Sequence, residues 1–407
     1  MHSLTTAADP LAGYAPGASV LFSSPGGTLL TRGVRTVVGG GLGSLPERVA
    51  AVLGADGAAS GTANGTANTS ANGSANGITA EVTDGAASGV AAGAIGFDGA
   101  AHLIVPDAAT WSGPLAPVAA APRGGWRVRP VPGPADYRKA VRRAVEIMES
   151  AADDPDGLRK VVLARTLELD GDGPLDLRDL LRPLAGRDLS FAAPLPGGRT
   201  LIGASPELLV SRRGRAVLSN PLAGSAARSA DPAEDRRRAE ALTASAKDLY
   251  EHRLVVEAVA DALQPYCARL EVPQSPELTS TETMWHLSTR VTGVLRDPGT
   301  PVLALAAALH PTPAVCGTPR AEARRVIGEL EPFDRGAYTG LVGWTDAAGD
   351  GEWAVTIRCA EVAERTLRLF AGAGIVPGSD PERELAETSA KFRTMLRALG
   401  VSTDALA

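Results

Sequence analysis

The chain has 407 residues, 44% of them hydrophobic and 21% charged, and 40 basic against 46 acidic side chains give a net charge of −6. This composition suits a globular protein of one large domain or two to three ordinary ones, and it offers no basic footprint for nucleic acid or an anionic membrane. The longest aliphatic run, Val302 to Leu309, is too short to span a bilayer, the N-terminus lacks a signal-peptide pattern, and Cys267, Cys316 and Cys359 are too scattered for a zinc cluster or disulfide framework; a cytoplasmic protein is expected.

In chain order, the glycine run Gly39-Gly40-Gly41-Leu42-Gly43-Ser44 misses the G-x-G-x-x-G register and predicts a tight turn. Ser44 then caps a short helix that Gly54 closes. Gly57 to Thr79 carries no charged or aromatic residue and repeats Ala-Asn-Gly units. It cannot bury enough apolar surface to offset its ordering entropy, so a flexible low-complexity insertion is expected at about 55–90. Strands are predicted at Gly93–Asp98 and Ala101–Pro106, and a Pro/Gly connector at Pro122–Gly133. A helix follows over Asp136–Ala152, then strands at Lys160–Leu167 and Leu201–Val210, the second interrupted by Ser205-Pro206. One long helical stretch runs from about Pro232 to Gln264. Further strands are predicted at Gly340–Thr345, Trp353–Cys359 and Leu367–Gly372. The last helix opens at Asp380-Pro381 and ends at Gly400. Without strict alternation of strands and helices, the class is mixed α/β or α+β.

Generic motifs exclude more than they assign. No P-loop, H-E-x-x-H or G-x-S-x-G sequence is present, and the five histidines have no metal-ligand spacing. In the last helix, Glu384, Glu387 and Lys391 fall on one face, beside the apolar stripe of Leu385, Phe392, Leu396 and Leu399. Glu251 shares a face with Val255, Ala258 and Ala262, where a carboxylate needs a partner. Surface ion pairing, as between Glu387 and Lys391, is the plain explanation. Two half-buried carboxylates on separate helices also suit Mg²⁺, which takes few protein ligands.

The C-terminal two-thirds resembles the chorismate-utilising enzymes. The matching text includes KVVLAR (160–165), GASPELLV (203–210), PLAGSAAR (221–228), ASAKDLYEHRLV (244–255), LHPTPAVCGTP (309–319), ELEPFDRGAYTGLVGW (329–344) and LFAGAGIVPGSDPERELAETSAK (369–391). The resemblance implies a single large domain with two mixed sheets packed core to core and helices outside. Residues 1–134 would supply the N-terminal part and 135–407 the chorismate-binding catalytic region. Lys160 stands where water-using members carry a general base. Ala223 in PLAGS disfavours the aminodeoxychorismate synthases, which resemble PIKGT with a lysine nucleophile. Ser225 and HPTPAVCG lean toward isochorismate synthase, an isomerase of siderophore, menaquinone or related metabolism. Salicylate synthase, or a non-catalytic subunit, remains the alternative. Ala246, Leu249 and Tyr250 depart from the SEKDRHEH pattern of siderophore-type members.

The resemblance implies the following roles. Lys160 deprotonates water, and burial at its strand would help by disfavouring the charged amine. Glu207 protonates the departing C4 hydroxyl, which requires a raised pKa. Glu251 and Glu387 hold Mg²⁺, with Glu384 supporting it through water. Arg358, Tyr338 and the Gly372 backbone seat the enolpyruvyl group. Gly224, Ser225 and Lys391 surround the ring carboxylate, while His286 and Ala314 line the pocket near C4 and C2. Chorismate is the expected small-molecule partner, with no glutaminase partner and a monomeric chain.

Overall fold

The strand Lys160–Asp170 is buried along nearly its whole length, because one face meets a second sheet and the other a layer of helices. The computed structural model describes residues 11–60, 89–116, 118, 125–185 and 188–402. That strand lies in a ten-stranded sheet. From one edge its path runs Gly317–Thr318, Lys160–Asp170, Thr366–Ile375, Cys359–Ala363, Arg199–Ser205, Leu189–Leu195, Leu21–Ser24, Gly27–Arg32 and Ala108–Ser112. Arg127–Val131 also pairs with Lys160–Asp170.

A nine-stranded sheet runs Cys267–Glu271, Val291–Leu295, Ala216–Asn220, Leu208–Arg213, Gly351–Val355, Leu341–Asp346, Val90–Ile95, Ala100–Val105 and Thr36–Gly41. A third sheet has three strands, Leu222–Ala227, Met284–Ser288 and Glu277–Ser280. The two large sheets face each other across one apolar layer. Phe22, Phe191 and Phe370 of the first meet Val342, Trp344 and Ala354 of the second there. Eight α-helices among the described residues are α1 (Leu45–Ser60), α2 (Pro134–Ser150), α3 (Leu177–Leu181), α4 (Pro232–Ala244), α5 (Ala246–Leu263), α6 (Val302–Leu309), α7 (Arg320–Leu330) and α8 (Pro381–Ala398). The outer face of the first sheet packs on α3 and α8, and that of the second on α1, α5 and α6. No helix of the described residues is long and apolar enough to cross a membrane.

The core-to-core packing is as expected, but mixed sheets are not found. Every strand pairing among the described residues is antiparallel. Four local expectations are corrected. The glycine run ends a strand, Thr36–Gly41, that pairs with Ala100–Val105. Helix α1 continues past Gly54 to Ser60, because a single glycine costs a helix only about 1 kcal/mol. Ser44 does not cap it through its side chain; its hydroxyl donates to the Gly41 carbonyl at 3.1 Å. The Pro/Gly connector contains the strand Arg127–Val131. Of the insertion expected at about 55–90, residues 55–60 belong to α1 and Val90 starts a strand, and 61–88 lie outside the described residues.

Two further breaks matter for function. The predicted strand at 201–210 is two strands in different sheets, Arg199–Ser205 in the first and Leu208–Arg213 in the second. Pro206 and Glu207 form the crossing. The predicted helix at 232–264 is α4 and α5, broken at Ser245. There the backbone is extended and the Ser245 hydroxyl accepts from the Asp248 N–H, capping α5. The cap starts α5 so that Glu251 and His252 are turned inward.

Candidate active site

The three sheets, α5 and α8 converge on a cleft of about 610 Å³, part of it open to solvent. Residues far apart in sequence reach it from separate elements. Glu207 comes from the crossing between the large sheets, Gly224 and Ser225 from the small sheet, and His286 from the adjacent strand. Glu251 comes from α5, Ala314 from the link after α6, and Tyr338 from the link after α7. Arg358 comes from the link between the strands Gly351–Val355 and Cys359–Ala363, Gly372 from the first sheet, and Glu387 and Lys391 from α8. Lys160 and Glu384 sit just behind the lining. The Lys160 side chain is fully buried, not a strand-edge lysine facing water, and its Nζ lies 2.9 Å from Glu251 Oε1. Glu384 is also buried, and Lys247 Nζ holds it at 2.6 Å.

Each acidic residue named for metal binding therefore carries its own lysine. The third pair is Glu387 with Lys391, at 2.6 Å and mostly out of solvent. Lys391 also donates to the Gly372 carbonyl at 2.8 Å, which ties α8 to the strand beside it. Room for the Lys160–Glu251 pair comes from Gly374. A Cβ there would stand 2.0 Å from Glu251 Oε1 and 3.1 Å from Lys160 Cε, so any other residue would displace the pair. Glu251 is buried, which opposes its charge, but Lys160 and Lys247 hold it below the usual carboxylate range. Burial and the charge of Glu387 push Glu384 up to about 7, against the pull of Lys247.

Glu207 is the exception among the acids. It is buried in the crossing between the two large sheets and has no lysine within ion-pair distance among the described residues. Burial pushes its pKa up to about 8, although Lys160, the Leu222 N–H, Arg358 and Lys391 all act in the opposite direction. Glu207 therefore holds its proton at neutral pH, as an acid donor must.

His286 joins two other site residues. Arg358 Nη2 lies 3.4 Å from His286 Nε2, and Ser225 Oγ lies 2.8 Å from Nδ1. A guanidinium only donates, so Nε2 accepts and the ring hydrogen is on Nδ1, donating to Ser225. Burial, with Arg358 and Lys391 nearby, keeps the imidazole neutral by lowering its pKa far below the usual range. The Ser225 hydroxyl hydrogen is thus left for a ligand in the cleft. Arg358 has φ 50, a left-handed conformation that is uncommon outside glycine. Tyr338 stacks on Phe370 with ring centroids 4.9 Å apart.

Three further contributors carry no motif of their own. Lys247 lies one helical turn before Glu251, and that spacing was the available signal. His252 bridges the Ala223 carbonyl at 3.1 Å and Thr289 Oγ1 at 2.7 Å, holding the small-sheet strand against α5. The Glu331–Arg335 pair lies buried behind the wall.

Chemically, the cleft offers a buried amine, a protonated carboxyl and a cationic pair, Arg358 and Lys391, for an anionic ligand. Residues 122–400 match the family described as chorismate binding enzyme. The chain belongs to that family. Among relatives, it is 55% identical to isochorismate synthase DhbC of Bacillus subtilis over 324 residues, spanning 76% of this chain and 80% of that protein. Isochorismate synthase EntC of Escherichia coli K12 is 44% identical over 274 residues, 67% of this chain and 68% of its own. The crystal structure of DhbC from Bacillus anthracis superposes with a TM-score of 0.84 at 47% identity, covering 96% of this chain and 99% of that one. Family membership accounts for the two-sheet architecture and for a cleft assembled from so many elements.

Whether a divalent cation suits this family member is a question of donors. Among the described residues, no three His, Cys, Asp or Glu side chains form a metal-holding group. Glu251 and Glu387 do face the same cleft, and each has a second oxygen beyond the one facing its lysine. Two carboxylates, completed by water and ligand oxygens, fit Mg²⁺.

Proposed function

We propose that the protein is an isochorismate synthase, adding water at C2 of chorismate with loss of the C4 hydroxyl, for siderophore, menaquinone or related metabolism. The observation that carries this reading is the pairing of two groups at one cleft, a buried Lys160 held by Glu251 just behind it and a buried Glu207 without a lysine of its own in its lining. Lys160 accepts the proton of the attacking water at Nζ as the free amine, after releasing the proton that its ion pair with Glu251 holds, and Glu251 fixes the direction of that group. Glu207 gives its proton to the C4 oxygen, which leaves as water, so atoms and charge balance. Arg358 presents a planar fork to the enolpyruvyl carboxylate, beside Tyr338 and Gly372. Lys391, Gly224 and the Ser225 hydroxyl face the ring carboxylate, and His286 orients Ser225. Ala314 lines the side near C2. All these groups come from one chain, so a monomer is sufficient and no glutaminase is needed.

Purified protein should convert chorismate reversibly to isochorismate at neutral pH, with little pyruvate or salicylate. Chromatography of the products without any coupling enzyme checks this. Stoichiometric pyruvate and salicylate would assign salicylate synthesis instead, and no turnover at all would mark a non-catalytic family member.

Mg²⁺ is proposed as the cofactor, held by Glu251 and Glu387 with Glu384 behind them; when bound, it offsets the ring carboxylate charge. Glu251→Gln and Glu387→Gln should each raise the Mg²⁺ concentration for half-maximal activity by at least about tenfold. Titration of activity and of direct Mg²⁺ binding by calorimetry measures the shift. If both variants keep the wild-type midpoint, these residues do not hold the cation.

A further inference from the structure

Arg335 is buried, and its guanidinium spends its N–H groups on the walls behind the cleft. Nε and Nη2 hold the Glu331 carboxylate at 2.8 and 2.5 Å. Nη2 also reaches the Val162 carbonyl at 2.8 Å, while Nη1 reaches the Val315 carbonyl at 2.8 Å and Thr339 Oγ1 at 3.2 Å. Glu331 in turn accepts from the Ala164 N–H at 2.8 Å. Val162, Val315 and Thr339 all line the cleft, from three separate segments. Val162 is two residues beyond Lys160, Val315 follows Ala314, and Thr339 follows Tyr338.

Thr339 has φ 58. That left-handed conformation is costly for a β-branched residue and persists only where its surroundings enforce it. The enforcing contacts are visible. The Thr339 N–H donates to Thr356, its hydroxyl donates to the Tyr338 carbonyl at 2.6 Å, and the same oxygen accepts from Arg335. By contrast, Arg358, Lys391 and Ser225 have no hydrogen bond to Arg335. The groups that would anchor the substrate carboxylates are thus separate from the clamp.

We infer that Arg335 is a positioning residue: it fixes the spacing between the Lys160 strand and the two links that face the reacting ring, and it holds Thr339 in its left-handed turn. This rests on the isochorismate synthase reading. The clamp acts on alignment of the reacting atoms, so it should affect kcat more than KM. Misplacement of about 1 Å costs on the order of 10²-fold in rate.

The test is steady-state kinetics of Arg335→Lys with chorismate, beside thermal unfolding. Lysine keeps the charge but donates from a single atom and cannot span Glu331, Val162, Val315 and Thr339 together. Folded R335K should lose about 10²-fold in kcat, with KM within about threefold of wild type. A kcat within about threefold of wild type, or a loss carried mainly by KM, overturns the inference. If R335K does not fold, Thr339→Gly decides, because glycine takes φ near +58 without strain. That variant should lose about tenfold in kcat without a lower melting temperature, and an unchanged kcat overturns the clamp. Absence of wild-type turnover would overturn the synthase reading and the clamp with it, whereas wild-type turnover with unaffected variants overturns the clamp alone.

Discussion

Lys160→Ala is expected to lower isochorismate formation by about 10²–10⁴-fold, the usual cost of losing a general base. The variant should also be less stable, because Lys160 is the ion-pair partner of a buried carboxylate, Glu251. Removing one partner of a buried pair costs about 3–5 kcal/mol, since the other charge is left uncompensated. Stability and activity can be separated by a second change. Lys160→Ala combined with Glu251→Gln should recover much of the melting temperature and none of the rate. Near-normal turnover in the single variant would mean that water is activated by another group, and formation of anthranilate from ammonia would overturn the role given to Lys160.

Glu207→Gln should lower the rate by a similar factor, about 10²–10⁴-fold, because the amide keeps the shape but has no acidic proton. The wild-type rate should fall as pH rises through about 8, where Glu207 loses its proton. The same group leaves a mark on stability. Its pKa is raised from 4.5 unfolded to about 8 folded, so the folded state binds the extra proton between those values. The contribution is fully present below about pH 4.5 and is lost as pH rises toward 8. Melting temperature against pH should therefore fall across this window in the wild type relative to Glu207→Gln. Parallel curves, or an alkaline limb of the rate unchanged by a residually active variant, would remove Glu207 as the acid.

Much of this site was legible because its chemistry lies in side chains embedded in long stretches of family text. Glu207, Ser225, Glu251, Arg358 and Lys391 could each be named from their motif, and the structure brings them to one cleft. What the sequence hid is geometry carried by backbone atoms. Arg335 binds two carbonyl oxygens, and nothing in the letters at 162 or 315 marks those carbonyls as acceptors. The Leu201–Val210 run reads as one interrupted strand because both halves are apolar; Ser205-Pro206 marks the interruption, and nothing in those letters marks the change of sheet there. The break at Ser245 follows from a cap that competes with helix continuation, between alanines that favour helix on both sides. At Gly54, local propensity pointed to a stop, and the helix runs on regardless.

The pairing of Lys160–Asp170 with Thr366–Ile375 also governs how the protein is made. Val161 lies opposite Ile375, more than 200 positions later in the chain. At the usual rate of synthesis, the first strand waits on the order of 10–40 s for the second. During that interval an apolar strand with unpaired backbone groups is available to other chains, and closure of so distant a contact is slow even once the partner exists. A nascent chain cut short before Thr366 would leave the first sheet divided at that seam, with Lys160 and Gly374 never brought together. Yield of native enzyme should therefore depend on temperature and chaperone supply during translation, well before catalysis is at stake.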